Sequence, residues 1–464
     1  MNQTQATRSV ALARLAVIGR RKHAGETMHE THFERSNGVG RSAALGGVLL
    51  VLLAVSLVGP SVGLAAADEQ AEQTGTASPL SEMAGSGTPQ DPYVITNVEQ
   101  LQAMNDDLAA HYVLQTDIDA SETETWNAGN GFEPIGTDDE PFRGSLDGNG
   151  HTISELTIVR PKAENVGLFG LTAGTVQNVS LRDVLINGDE NIGALAGIST
   201  GSITGSSATG ELLASSSNVG GLVGVNAGQM VATYADATVS GQEVVGGLVG
   251  VNEGPLRGSY ATGTVSATTV GGGIVGVNSN ALTASYATAS VDVEEVGGGL
   301  AGSNTGTIRT SYAASEVDGE VDVGGLTGSN GNSIVSESYW DETVADVNGS
   351  SGDDAEVGTA LTTEELTGED ALENLDGFDS ANIWMATDEY PVHQWEQPDV
   401  DPLDQWQVPT PTPAPPTPTP TDVPTPTPTP TSSGSFGMGP GFGPVAVLLA
   451  IAALAAVAVT RREP

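Results

Sequence analysis

The chain has 464 residues, with 61 glycines, 25 prolines, no cysteine, and 58 acidic against 15 basic side chains. Without cysteine there is no disulfide scaffold and no thiolate-ligated zinc or iron–sulfur site. Six of the fifteen bases but 54 of the acids fall in residues 68–440, a formal net charge of −48; such a body repels nucleic acid and other polyanions, whose binding needs clustered Lys and Arg.

Self-repulsion of this size destabilises a compact state in dilute buffer and is tolerated where concentrated salt shortens screening to about 3 Å at 1 M. The acidic composition therefore reads as that of a halophile's protein, with carboxylates as a hydrated surface. Glycine stands at about twice its usual share of ~7%, so part of the chain needs close backbone approach or positive φ.

The first element is a targeting segment, residues 1–67. An apolar run from Ala43 to Val58 follows Arg35 and Arg41 and precedes Ala65-Ala66-Ala67, the layout of a secretory signal peptide cleaved by signal peptidase after Ala67. Its leader is long, so translation starts at either Met1 or Met28, and Arg20-Arg21 is a twin-arginine candidate; a transmembrane anchor is the alternative. Residues 68–86 read as a disordered linker. From 87 to 164 we expect the first coils and cap of a β-structure, with Asn97-x-x-Gln100 as a capping box opening a short helix.

Residues 165–340 repeat. The last glycine of Val-Gly-Gly-Leu-Val-Gly falls at Gly170, Gly197, Gly224, Gly250, Gly276, Gly302 and Gly328; Asn follows two residues later from Asn226 to Asn330, and Tyr recurs at Tyr234, Tyr260, Tyr286, Tyr312 and Tyr339. The units are rich in Val, Thr, Ser and Ala and lack a 3.6-residue apolar period, which predicts short strands. A unit this small cannot bury its own face, whereas stacked coils share a core and pair every strand. The expected fold is all-β: a right-handed parallel β-helix solenoid of ~26-residue coils, its ends capped by short helices. Identical residues then lie above one another at the ~4.8 Å strand spacing, and the Asn column forms an amide ladder.

Val219-Gly-Gly-Leu-Val-Gly-Val-Asn226 and Ser259-Tyr-Ala-Thr-Gly-Thr-Val265 resemble the GLUG-motif repeats of secreted adhesin-type proteins. The flanks agree: Gly87-Thr-Pro-Gln-Asp-Pro-Tyr-Val-Ile95, Phe142-Arg-Gly-Ser-Leu-Asp-Gly-Asn-Gly-His-Thr-Ile153, Ser338-Tyr-Trp-Asp341 and Tyr390-Pro-Val-His-Gln-Trp395. The resemblance spans about residues 87–396 and implies a cell-surface β-helix in adhesion or matrix contact. The unit at Gly197 departs from it, with Ser207 where Tyr is expected.

Residues 341–407 close the body, with a helix expected from Thr362 to Leu375. Residues 408–439 form a disordered stalk: 408–431 holds 11 prolines and 9 threonines, a composition that favours extended polyproline II and offers sites for O-linked sugars. In residues 440–464, Pro440-Gly441-Phe442, an uncharged stretch to Val459 and Arg461-Arg462 resemble the archaeal PGF-type C-terminal sorting signal. That resemblance implies an archaeosortase-type enzyme that removes the hydrophobic helix in favour of a membrane lipid anchor. A retained transmembrane helix is the alternative, and either leaves the body outside the cytoplasmic membrane.

Catalytic signals are absorbed by the repeat. Two G-x-G-x-x-G matches (Gly271 to Gly276, Gly297 to Gly302) and one G-x-S-x-G match at Ser199 lie in its register, outside the strand–helix contexts those motifs need. His111, His151 and His393 read as surface or turn residues rather than members of a triad. No catalytic or cofactor-binding residue is assigned. The candidate cation ligands are Asp117, Asp119, Asp147 and Asn149, oxygen donors of the kind Ca²⁺ takes, with strand-end and turn roles as the competing reading. Asn178 and Asn348 head N-glycosylation sequons. The function expected is adhesion, surface-layer association or contact with extracellular glycans. A polysaccharide lyase or glycoside hydrolase on a β-helix scaffold is one alternative, and a purely structural envelope spacer the other.

Overall fold

The structure, a computed structural model, describes residues 79–400 apart from 332, 354–356, 398 and 399. The signal peptide with Ala67, the stalk, and the sorting signal with Pro440, Gly441 and Phe442 lie outside the described residues. Among the described residues no helix is long and apolar enough to cross a membrane.

The body is a right-handed parallel β-solenoid of about 8 turns. A full coil has four short strands; in one, these are Val244–Gly246, Val249–Asn252, Leu256–Arg257 and Tyr260–Ala267. Equivalent strands stack in parallel into four sides of seven, seven, ten and thirteen strands. The register is one repeat: Val249 faces Val275, Asn252 faces Asn278 and Tyr260 faces Tyr286.

The core is a set of columns. Leu222, Leu248, Ile274, Leu300 and Leu326 are fully buried at the corner between the first two sides, and Ala235, Ala261 and Ala287 fill the fourth side opposite. Each Leu or Ile so removed from water contributes about 1.5–3 kcal/mol. The columns pack so tightly that a Cβ on Gly246 would stand 1.9 Å from the Val249 carbonyl oxygen and 2.7 Å from the Gly276 nitrogen. That close approach is what the repeated glycine serves.

Two polar ladders satisfy the buried corners. Asn226 donates its amide to Asn252, Asn252 to Asn278, Asn278 to Asn304 and Asn304 to Asn330, at 2.7–2.9 Å, as the repeat predicts. A second ladder goes beyond that expectation. Between the third and fourth sides the backbone turns through a left-handed residue in every repeat coil: Asn178, Gly205, Ala232, Gly258, Ala284, Thr310 and Glu337 have φ of 47–58°. Where serine follows, its hydroxyl is buried and caps the previous coil, so Ser259, Ser285 and Ser311 accept from the backbone N–H of Thr233, Ser259 and Ser285. Each of these serines donates to the carbonyl two residues before it.

The ends are closed differently. At the first coils Tyr112, Phe142 and Phe169 widen the core, with Phe142 and Phe169 ring centroids 4.9 Å apart. The helix Val98–Gln102 begins there, with the Asn97 side chain accepting from Gln100 N. At the other end Gly325 and Leu326 donate to the carbonyls of Gly349 and Ser350, which protects open strand edges. The helix expected from Thr362 to Leu375 is a single turn, Thr363–Leu366, with the Thr362–Glu365 capping box formed. Gly368, at φ +87°, ends it, and a short 3₁₀ turn follows at Ala371–Glu373.

Candidate functional site

The most elaborate surface lies on the fourth side, where the repeat tyrosines point outward. Tyr234, Tyr260, Tyr286 and Tyr312 stack with centroids 4.8, 4.8 and 5.1 Å apart and planes within 7°. The column begins at Tyr234 because Ser207 holds the preceding register position. Aromatic pairs in such geometry add about 0.5–1.5 kcal/mol each beyond burial.

The closing segment lies along this column as a strap. Tyr339 donates to the Asp376 carbonyl, Tyr312 to the Pro391 carbonyl at 2.6 Å, and Tyr286 to both Glu396 oxygens at 3.0 and 3.1 Å. Trp384 packs on Tyr286 and Tyr312, and Trp395 on Tyr260 and Tyr234. Burial, then the neighbouring phenol and Glu396, raises the Tyr286 hydroxyl far above the ordinary tyrosine range; burial and Glu396 do the same to Tyr312. These hydroxyls are therefore fixed hydrogen-bond donors and not proton-transfer groups.

His393 departs from the surface role expected of it, since it is fully buried between Trp384 and Trp395, at centroid distances of 4.5 and 5.6 Å. Its Nε2 donates to the Ala284 carbonyl at 2.8 Å, and its Nδ1 faces Glu396 Oε1 at 3.2 Å without hydrogen-bond alignment. No periodic signal marks this strap; its sequence cues are the closing segment Tyr390 to Trp395 and an unusual density of aromatics between Phe378 and Trp395.

The candidate cation ligands sit in the first coils, where all three aspartates already accept hydrogen bonds. Asp117 accepts from Thr152 N and His151, which lowers its pKa. Asp119 accepts from Ser121 N, which lowers its pKa too. Asp147 accepts from Asn149 N and from the Gln177 amide, with Asn149 in a left-handed turn. Among the described residues no three His, Asp or Glu side chains converge as a metal-binding group. Of the sequons, Asn348 is exposed and Asn178 is half-buried at a left-handed corner. Ser199 is buried inside the second side, below Asn226 in register, with no exposed surface.

One hydrogen bond of chemical interest was not legible in sequence. His111 Nδ1 and Ser145 Oγ lie 2.7 Å apart on adjacent strands, at a shallow groove that Pro89, Pro92, Asp147 and Gln177 also line. Among the described residues no carboxylate pairs with the other His111 nitrogen. On the first side Glu164 and Glu190 pair in register. Burial first, then the charges of Glu164, Asp189 and Glu243, raises the Glu190 carboxyl above its usual value. Beside it an outward amide ladder runs from Asn218 through Asn191 and Asn165 to Asp138, at 2.8–2.9 Å.

Coil register, buried polar ladders and a strapped flank define an acidic, repeat-built parallel β-solenoid. No protein-family profile matches the chain. A stretch of 122 residues is 48% identical to part of halomucin from Haloquadratum walsbyi, covering 24% of this chain and 1% of halomucin. Another of 101 residues is 36% identical to a protein of Evansella cellulosilytica provisionally assigned as a Gly-rich membrane protein, covering 21% of this chain and 12% of that one. The chain thus spans a small fraction of these relatives. Among solved structures, a Bacteroides ovatus protein provisionally assigned as an immunoglobulin A1 protease aligns at 23% identity and a TM-score of 0.48, over 68% of this chain and 95% of its own.

Proposed function

We propose that the chain is an exported protein of a halophile's cell surface, whose solenoid makes non-catalytic contact with neighbouring envelope or extracellular glycans. The observation that carries this reading is the 48% identity to a segment of halomucin; the regular register of the coils from Tyr234 to Tyr286 supports it, because regular stacking leaves flat faces where an enzyme needs a cleft. The GLUG-type repeat and the PGF-type ending belong to the same reading. Signal peptidase acts after Ala67, an archaeosortase-type enzyme acts at Pro440-Gly441-Phe442, and a lipid anchor holds the body outside the cytoplasmic membrane.

Cells lacking the gene are expected to lose attachment or aggregation, with recovery on re-expression of the anchored form and not of a form ending at residue 439. Unchanged attachment in the deletion strain refutes the reading. The Ser145–His111 pair is the one observation that favours an enzymatic alternative, a hydrolase acting through a serine nucleophile. Covalent labelling of Ser145 by a fluorophosphonate, abolished by His111→Ala, would establish it.

A further inference from the structure

The chain does not leave the solenoid at its last coil. Tyr339 is bonded to residue 376. After a hairpin that pairs Trp384 with His393, Asp341 is bonded to 390, Tyr312 to 391, Ala284 to 393 and Gly258 to 395. Over residues 390–395 the coil contacted therefore moves backward as the residue number rises, and Glu396 returns to Tyr286. Trp395 ends this path packed on Val231 and Ala232. At ~4.8 Å per coil, the strap retraces about 14 Å between the coils of Tyr339 and Tyr260. Tension between the two ends of the body therefore enters at Tyr286 and Gly258, and the coils of Tyr312 and Tyr339 stay off the load path while the strap holds.

We propose that residues 376–397 are a load-bearing latch that peels from the tyrosine column before any coil unstacks, exposing Tyr260, Tyr286 and Tyr312. Pulled from its C-terminal end, the strap presents its attachments one after another: Glu396 on Tyr286, then Trp395 on Gly258, then His393 on Ala284, then Pro391 on Tyr312. Separating two coils instead loads parallel-strand hydrogen bonds on four sides together, as between Val249–Asn252 and Val275–Asn278 or Tyr260–Ala267 and its successors. Sequential loading opens at lower force than simultaneous loading. The biological use rests on the reading that the cell holds the protein by its C-terminal end, whereas the latch itself is a property of the body and is tested without cells.

The cysteine-free chain allows handles at Pro79→Cys and Val400→Cys alone for single-molecule force spectroscopy. The expected result is a reversible extension of about 70 Å, the extended length of the released strap, before the main unfolding. Trp395→Ala should abolish or weaken that early step, and Tyr286→Phe, which keeps the ring stack and removes the bond to Glu396, should lower its force while leaving the main unfolding force unchanged. Unfolding with no earlier extension, or an early step that Tyr286→Phe leaves unaltered, overturns the proposal. A failure here leaves the surface reading intact, and loss of the surface reading leaves the latch measurable.

Discussion

The Trp395 indole donates to the carbonyl of Gly258, 137 residues earlier, at 3.1 Å. Its ring also lies 5.8 Å from that of Tyr260, so one side chain closes the strap by stacking and by a buried hydrogen bond at a left-handed corner. Trp395→Phe keeps much of the stacking but leaves a buried carbonyl without its donor, which costs about 1–3 kcal/mol. Denaturant unfolding followed by near-UV circular dichroism should show the strap's aromatic signal lost before the strand signal in this variant.

Asn278 accepts from Asn252 and donates to Asn304 with no exposed surface. Asn278→Ala strands the Asn252 amide and opens a cavity beside it, and should destabilise the body by about 3 kcal/mol. Asn278→Asp replaces a donor with a buried charge against two amide oxygens and should be worse at pH 7 than at pH 4. Equilibrium unfolding at both pH values checks the order.

Thr310 holds φ +47° at a corner where Gly258 does the same job without a Cβ. A β-branched residue in this region is strained by about 1–2 kcal/mol, and the added freedom of an unfolded glycine offsets part of that. Thr310→Gly is therefore expected to stabilise by about 0.5–1 kcal/mol, read as a higher Tm.

Glu190 binds its proton more readily folded than unfolded, because burial and Glu164 disfavour its charge. The sign follows: the site's contribution to stability is present at low pH and is lost as pH rises through the raised folded value. Glu190→Gln should stabilise by about 0.5 kcal/mol at pH 7 in low salt, with the gain shrinking in 1 M KCl and at pH 4. A thermal-shift series in pH and salt reads both trends.

The same electrostatics act on the whole body, whose residues 68–440 have a net charge of −48. Raising KCl from 0.1 to 1 M shortens the screening length from about 10 to 3 Å, so Tm should rise steeply over that interval. A flat dependence would remove the argument for adaptation to brine.

A 26-residue spacing of identical residues was enough to establish the solenoid, because stacking forces residues one repeat apart into contact. From this follow the parallel register, the Gly246 approach and the Asn226 to Asn330 ladder, all determined by the sequence alone. The Asn97 N-cap was equally legible, being local, although the Gln100 side chain accepts from Thr96 N and does not close the box on Asn97; the Thr362–Glu365 box emerged with the structure. Tertiary structure alone decided the rest. Residues 376–397 carry no period, so nothing in their order states that they turn back, bury His393 and end on Gly258. The left-handed corners are filled by Ala232, Thr310 and Glu337 as well as Gly258, and only the coil geometry reveals their φ. Whether Ser145 meets His111 across 34 residues likewise depends on the irregular first coils, where register is set by packing around Phe142 and not by repetition.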